Sequence, residues 1–415
     1  MDVLSRPLID RTLPLLTEGY AWLPNRMRDS SGPVVRTRIL GRPALALRGP
    51  EAVRFFYDEQ NVHRQRAIPE PVLGTLFGHE AVHTLDGTAH RTRKAMFLPL
   101  LAPERIAGLV EEVTAAWDDA VPAWGRRGAV VLFDEASTVL TRGVHRWAGI
   151  SPADADTDAD ARSVARDMIA MVDGFATAGP RHLRARRARG RQEDRLGRLV
   201  RDVRAGDVTP PEDSVLALVC GHRDADGALL DEKTAAVELL NVVRPTAAVA
   251  WFVAFMAHAL HRWPEHRARL SDGDSAFTAA FTHEVRRFYP FVPFLGGLAA
   301  RDLMWRGEWV PAGGLVLLDV YGQNHDESLW GDPYAFRPQR FLDRPVERDE
   351  LIPQGGGDPR TGHRCPGEGI TIGVLEALAV RLARMEYTVP EQNLAIPLHR
   401  IPTRPHSGFL IADVR

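Results

Sequence analysis

Residues 231–263 constrain this chain more than any other segment. Their pattern predicts a helix of about 30 residues, about 45–50 Å long at 1.5 Å per residue, far beyond the usual helix length. Within it, residues 234–258 form the most apolar stretch of the sequence, broken by Glu238, Asn241, Arg244 and Pro245. Such a helix must cross the body of its protein and take its cover from neighbouring elements. Yet an arginine and a proline stand side by side near its middle. A proline there removes a backbone hydrogen bond and costs about 3 kcal/mol. A guanidinium away from water needs a partner. Read locally, Arg244 is an arginine whose stem lies on apolar neighbours while its head reaches water.

The rest of the chain reads as mainly α with small β sheets. Segments 34–40 and 44–48 alternate as a hairpin around residues 41–43. From residue 50 to 264, apolar residues recur at helical spacing, with starts and stops at Pro, Gly or Asp. A helix over 274–289 follows, then strand-like pieces at 303–306 and 316–319, an irregular Pro- and Gly-rich stretch at 331–364, and a helix over 367–386. This suggests one domain over 1–415, with a β-containing region at 30–60, a helical body at 65–385 and a β loop at 386–415. A net charge of −2 argues against nucleic acid as a partner. The arginine-rich run at 181–195 reads as a solvated helix face. No run of 18 apolar residues occurs, so no transmembrane segment is expected. Residues 1–20 lack the basic start and apolar core of a signal peptide, and a cytoplasmic setting is expected.

The irregular stretch at 331–364 is unusually long for a compact domain unless it is functional or disordered, and it ends beside one of only two cysteines, Cys365. "GHRCPGEG" puts this thiol before a helix, where the dipole and free N–H groups favour thiolate. Structural zinc is disfavoured, because Cys220 is the only other thiol. A cysteine nucleophile and an axial haem ligand both remain open on these residues alone.

The whole chain then resembles the cytochrome P450 superfamily. Glu284 and Arg287 in "EVRR" are similar to the family's Glu-x-x-Arg pair, which fastens the core beneath the haem. "DPYAFRPQRF" resembles the segment that adds an arginine to that network, here Arg337 or Arg340. The resemblance implies the P450 fold, a triangular helical body whose long central helix passes over a haem b ligated by Cys365. The cysteine loop departs from the common pattern, with Asp358, Thr361 and His363 where phenylalanine, glycine and arginine are usual. In this it is similar to the bacterial fatty-acid peroxygenase branch.

In that branch an Arg-Pro pair replaces the acid–alcohol pair of ordinary monooxygenases, and its arginine holds the substrate carboxylate. The resemblance therefore implies Arg244 and Pro245 as active-site residues, with Phe77, His83 and Phe291 along the substrate. It implies Arg64 and His90 at the haem propionates, with Lys94 also a candidate. Segments 291–297 and 407–411 would add apolar wall to the pocket. The implied activity is hydrogen-peroxide-dependent oxidation of medium- or long-chain fatty acids at Cα or Cβ. It gives 2- and 3-hydroxy acids or, by oxidative decarboxylation, terminal alkenes, with no obligatory redox partner. His83 stands where relatives carry glutamine or histidine, a position tied to that product choice. The alternative is a conventional monooxygenase using dioxygen and a ferredoxin–reductase pair.

Overall fold

In the computed structural model, which describes residues 9–30, 32–150, 158–175 and 177–415, helices dominate. Residues 1–8, the start of the segment weighed as a signal sequence, lie outside that description. The hairpin forms from Val34–Ile39 and Arg42–Leu47, with Leu40 and Gly41 both at positive φ in its tight turn. It does not stand alone. Arg42–Leu47 pairs in parallel with Leu315–Asp319, which pairs antiparallel with Phe294–Ala299, and Val62–His63 closes the edge. Segment 291–297, expected as pocket wall, thus runs from a loop into this sheet. Ala129–Val131 pairs with Leu410–Ala412, the C-terminal strand expected near 407–411.

The central helix runs from Glu232 to Arg262 over 31 residues, or about 46 Å. By length and apolarity it could cross a membrane, but 83% of that apolar window is buried inside the protein. It consists of two helices, Glu232–Ala247 and Ala250–Arg262. The proline does not break it at the expected place. Helical backbone continues through Pro245, and the irregularity falls one turn later, where Val249 N–H donates to Thr246 O and Trp251 N–H to Ala248 O, both at 3.1 Å. These i→i−3 bonds tighten the turn rather than widen it. In the turn before it, the Thr246 hydroxyl donates to Val242 O at 3.0 Å.

The helix is packed by Leu132–Ala148 along both halves, by Pro180–Ala205 on its first, and by Ser275–Phe288 and Glu368–Arg384 on its second. Pro180–Ala205 contains the arginine-rich run. Arg184, Arg186, Arg187 and Arg191 face outward as expected, but Arg189 is 3% exposed. The helical period brings it in with Ala185, Ala188, Gln192 and Leu196.

Candidate active site

The network under the cysteine helix is built first from Ser275–Phe288. Glu284 and Arg287 are completely buried and pair bidentately, at 2.8 Å through each oxygen. Arg287 also donates to the carbonyls of Asn324 and Pro333, both at 2.9 Å. The structure separates the two arginine candidates. Arg340 brings its guanidinium to 3.1 Å from Glu284, whereas Arg337 offers only its backbone N–H, at 2.7 Å. Two buried charges satisfied this completely make a rigid footing, and removing one partner would strand the other.

Cys365 lies just before Glu368–Arg384. Gln354 Nε2 reaches its Sγ at 3.9 Å, and Cys365 N–H donates to Gln354 O at 3.3 Å. Burial raises the thiol above its ordinary value, and the Glu368 charge adds to this; the Gly367 N–H, Lys94 and Gln354 oppose it without prevailing. The Gly367 N–H at the helix start acts in the expected direction, towards thiolate. A metal cation at the sulfur supplies what the site lacks, because coordination deprotonates a thiol outright.

Basic side chains gather on the same side. Arg64 is buried, lies 4.0 Å over the Phe56 ring and donates to Gly296 O at 2.9 Å, with no carboxylate bound to its guanidinium. His90 is 2% exposed, stacks on His363 at 3.9 Å, and leaves Nδ1 without a partner. Burial, then His363 and Lys94, hold its pKa down to about 3. His363 lies 3.3 Å from the carboxylate of Asp86, which also accepts the backbone N–H groups of Arg64 and Gln65. Lys94 donates to the carbonyls of Gly362 and Arg364, so it ties down the cysteine loop. Buried donors in excess of acceptors beside a lone thiol suit a metal group bearing carboxylates, and haem with its propionates fits them.

The other face of the site comes from the central helix and the segment around residues 73–84. Arg244 is 3% exposed, and its Nη1 has no hydrogen-bond partner. Burial, reinforced by Arg189 and opposed by Glu238, pulls its pKa down to about 9, so it stays charged at neutral pH. Its guanidinium carbon sits 5.9 Å from the centre of the Phe77 ring, and that ring lies 4.7 Å from the His83 ring. His83 Nδ1 is also unpartnered, and burial, then Arg244, hold its pKa near 3, leaving a neutral imidazole. Phe291 packs against Phe252 of the central helix, with ring centres 4.4 Å apart and the planes tilted by 35°.

Sequence reasoning missed the groups behind this face. Glu238 is completely buried and accepts from Val82 N–H at 2.7 Å and from Arg93 at 2.9 Å, while Arg93 also pairs with Asp224. The signal was available: a carboxylate in an apolar buried helix requires a partner.

A half-buried cysteine before a helix, beside buried basic side chains of which His90 keeps an unpartnered Nδ1, fits a haem-thiolate protein. The cytochrome P450 family model matches residues 274–391, within which Cys365 is the only cysteine. Among curated proteins, Cytochrome P450 1A5 of Gallus gallus is 34% identical over 140 residues, covering 32% of this chain and 26% of that protein. Putative cytochrome P450 137 of Mycobacterium tuberculosis is 26% identical over 228 residues, 52% of this chain and 47% of that one. The alignments thus span from about a quarter to about half the length of these curated relatives. Solved structures match along the whole chain. Cytochrome P450SP alpha (CYP152B1) in complex with (R)-ibuprophen has a TM-score of 0.94 and 39% identity, covering 98% of this chain and 99% of that one. Cytochrome P450EX alpha (CYP152N1) with myristic acid has 0.93 and 36%, covering 99% and 98%. A point variant of cytochrome P450 OleT in complex with arachidonic acid has 0.94 and 36%, covering 99% and 97%.

The chain belongs to the cytochrome P450 family, in its bacterial fatty-acid peroxygenase branch. With that membership comes a haem carrying a cysteine thiolate ligand.

Proposed function

We propose that the protein is a hydrogen-peroxide-dependent fatty-acid peroxygenase, with Cys365 as the haem ligand. The observation that carries this reading is Arg244, a buried, charged guanidinium with a free Nη1 and no hydrogen-bonded carboxylate among the described residues. A fatty-acid carboxylate completes it. The planar fork donates to two carboxylate oxygens at once and offsets the desolvation of both ions. Solved relatives that bind myristic and arachidonic acid support the substrate class.

Held there, the carboxylate takes a proton from one oxygen of hydrogen peroxide and returns it to the other, which leaves as water. Haem iron, when bound, supplies the two-electron oxidation that follows loss of that water. Hydroxylation then consumes one fatty acid and one peroxide, giving a 2- or 3-hydroxy acid and water. Decarboxylation of the same pair gives a terminal alkene, carbon dioxide and two waters. Neutral His83 can donate one hydrogen bond to the carboxylate without adding charge, and Phe77 walls the first carbons of the chain. Arg64 and His90 hold the propionates. The hydrocarbon tail passes along apolar wall such as Phe291, each buried CH2 contributing about 0.8 kcal/mol.

The conventional monooxygenase needs an acid or amide followed by an alcohol to deliver protons to dioxygen. Here Pro245 precedes Thr246, whose hydroxyl donates to Val242 O. We therefore place no obligatory redox partner in the reaction, and propose a cytoplasmic setting. The test is turnover of saturated fatty acids by purified holoenzyme with hydrogen peroxide alone. Turnover only with a ferredoxin, reductase and dioxygen would overturn the reading.

A further inference from the structure

Two buried ionisable groups anchor the segment that carries Phe77 and His83. Arg189 belongs to the arginine-rich helix Pro180–Ala205, and Glu238 to the central helix, six residues before Arg244. Arg189 Nη1 donates to the carbonyl of Leu76 at 2.7 Å, and its Nε to Glu193 at 2.6 Å. Gly78 makes room for this. It lies at φ +89, and a Cβ there would run into Arg189 Nη2.

At the other end, Glu238 accepts the backbone N–H of Val82 at 2.7 Å and Arg93 Nη1 at 2.9 Å. The same Arg93 nitrogen reaches Glu80 O at 3.1 Å. The segment between the two rings is thus clamped once beside each ring: at Leu76, next to Phe77, and at Val82, next to His83. Each clamp is a side chain no more than 3% exposed.

A connecting turn needs no such device, since turns close through their own backbone and short polar side chains. Burying two ionisable groups is costly, and both anchors stand on long helices outside the segment. Both also act on Arg244 through charge: Arg189 disfavours its protonated form and Glu238 favours it. Displacing either anchor moves one ring relative to the other and to the guanidinium 5.9 Å from Phe77.

We propose that Arg189 and Glu238 are positioning residues that set the Phe77–His83 geometry and through it the division of product among 2-hydroxy acid, 3-hydroxy acid and alkene. This rests on the reading above, in which both rings touch the substrate. The test uses holoenzyme, one saturated fatty acid and hydrogen peroxide, with products resolved by mass spectrometry. The carbon-monoxide difference band is read as a check on bound haem, and fatty-acid affinity from the haem spectral change. In Arg189→Met the product ratio should move by about tenfold, the scale on which misplaced supporting groups act, while haem remains bound. Arg189→Lys, which keeps a cationic donor for Leu76 O, should return most of the wild-type ratio. Glu238→Ala should also move the ratio, and Glu238→Gln, which keeps an acceptor for Val82 N–H, should stay close to wild type.

If Arg189→Met fails to hold haem, Arg189→Gln carries the same expectation, because its shorter amide falls short of Leu76 O. An unchanged product ratio in a haem-loaded Arg189→Met or Arg189→Gln overturns the proposal, as does a shift in Arg189→Met that Arg189→Lys does not reverse. A wild-type enzyme inert towards fatty acid and peroxide instead overturns the functional reading, and this inference with it.

Discussion

Replacing Arg244 by methionine should push activity and stability in opposite directions. Arg244 is buried without a hydrogen-bonded carboxylate among the described residues, and its pKa falls from the ordinary arginine range to about 9. At about 1.4 kcal/mol per pKa unit, holding that charge inside costs roughly 5 kcal/mol before the surroundings relax, and a few kcal/mol after. Methionine keeps much of the stem's volume and removes the charge. The substrate-free holoenzyme should therefore melt higher, by about 2–5 °C for a chain of this length. The substrate loses a two-pronged charged hydrogen bond, each prong being worth about 1.5–3 kcal/mol. Together they amount to about 3–6 kcal/mol, or a fall of about 10²–10⁴ in kcat/KM. Because the carboxylate also moves the peroxide proton, kcat should fall and not KM alone rise. Initial rates with peroxide, paired with thermal scans with and without fatty acid, read both effects. Saturating fatty acid should raise the wild-type Tm and leave that of Arg244→Met almost unmoved. A variant that melts lower than wild type, or keeps more than about a tenth of kcat/KM, would refute the carboxylate clamp.

Cys365→Ala should lose the carbon-monoxide difference band of thiolate-ligated ferrous haem; a retained band sinks the ligand assignment. Burial holds His83 near a pKa of 3, far below its ordinary 6.5, so the imidazole stays neutral from about pH 5 to 8. Fatty-acid affinity of the resting enzyme should then show no break near 6.5, and a step there that His83→Gln abolishes would show that the ring titrates. Beneath the haem, Arg340→Ala removes a guanidinium 3.1 Å from a fully buried carboxylate and should cost about 3–5 kcal/mol in denaturant unfolding. Arg337→Ala, which keeps the only group Arg337 contributes to Glu284, should fall within about 0.5 kcal/mol of wild type; equal losses in the two variants would contradict the geometry.

Much of this was legible in the chain because the information is local. Helical spacing outlines the central helix and the cysteine helix, and the composition at residues 41–43 marks the hairpin, whose turn the structure places at 40 and 41. Arg244–Pro245 and "GHRCPGEG" are short enough to be recognised where they stand. Which residues a buried charge meets is a different kind of fact. Arg189 reads as one more cation in a solvated run until the helix is rotated against its neighbours, and only then does its guanidinium come to Leu76 O. Arg340 and Arg337 are equivalent in the sequence and differ only in which of them turns its side chain inward.

The sequence by itself determined the helical class, the family, the thiol offered to a haem and the arginine offered to a carboxylate. Tertiary structure decided the rest: that Glu238 and Arg93 share a buried bond across 145 positions, that the irregular turn of the central helix falls after Thr246, and that burial opposes ionisation of the Cys365 thiol. The division is physical. Propensity and periodicity act over a few residues, whereas desolvation and charge pairing depend on which distant groups the fold seals in together.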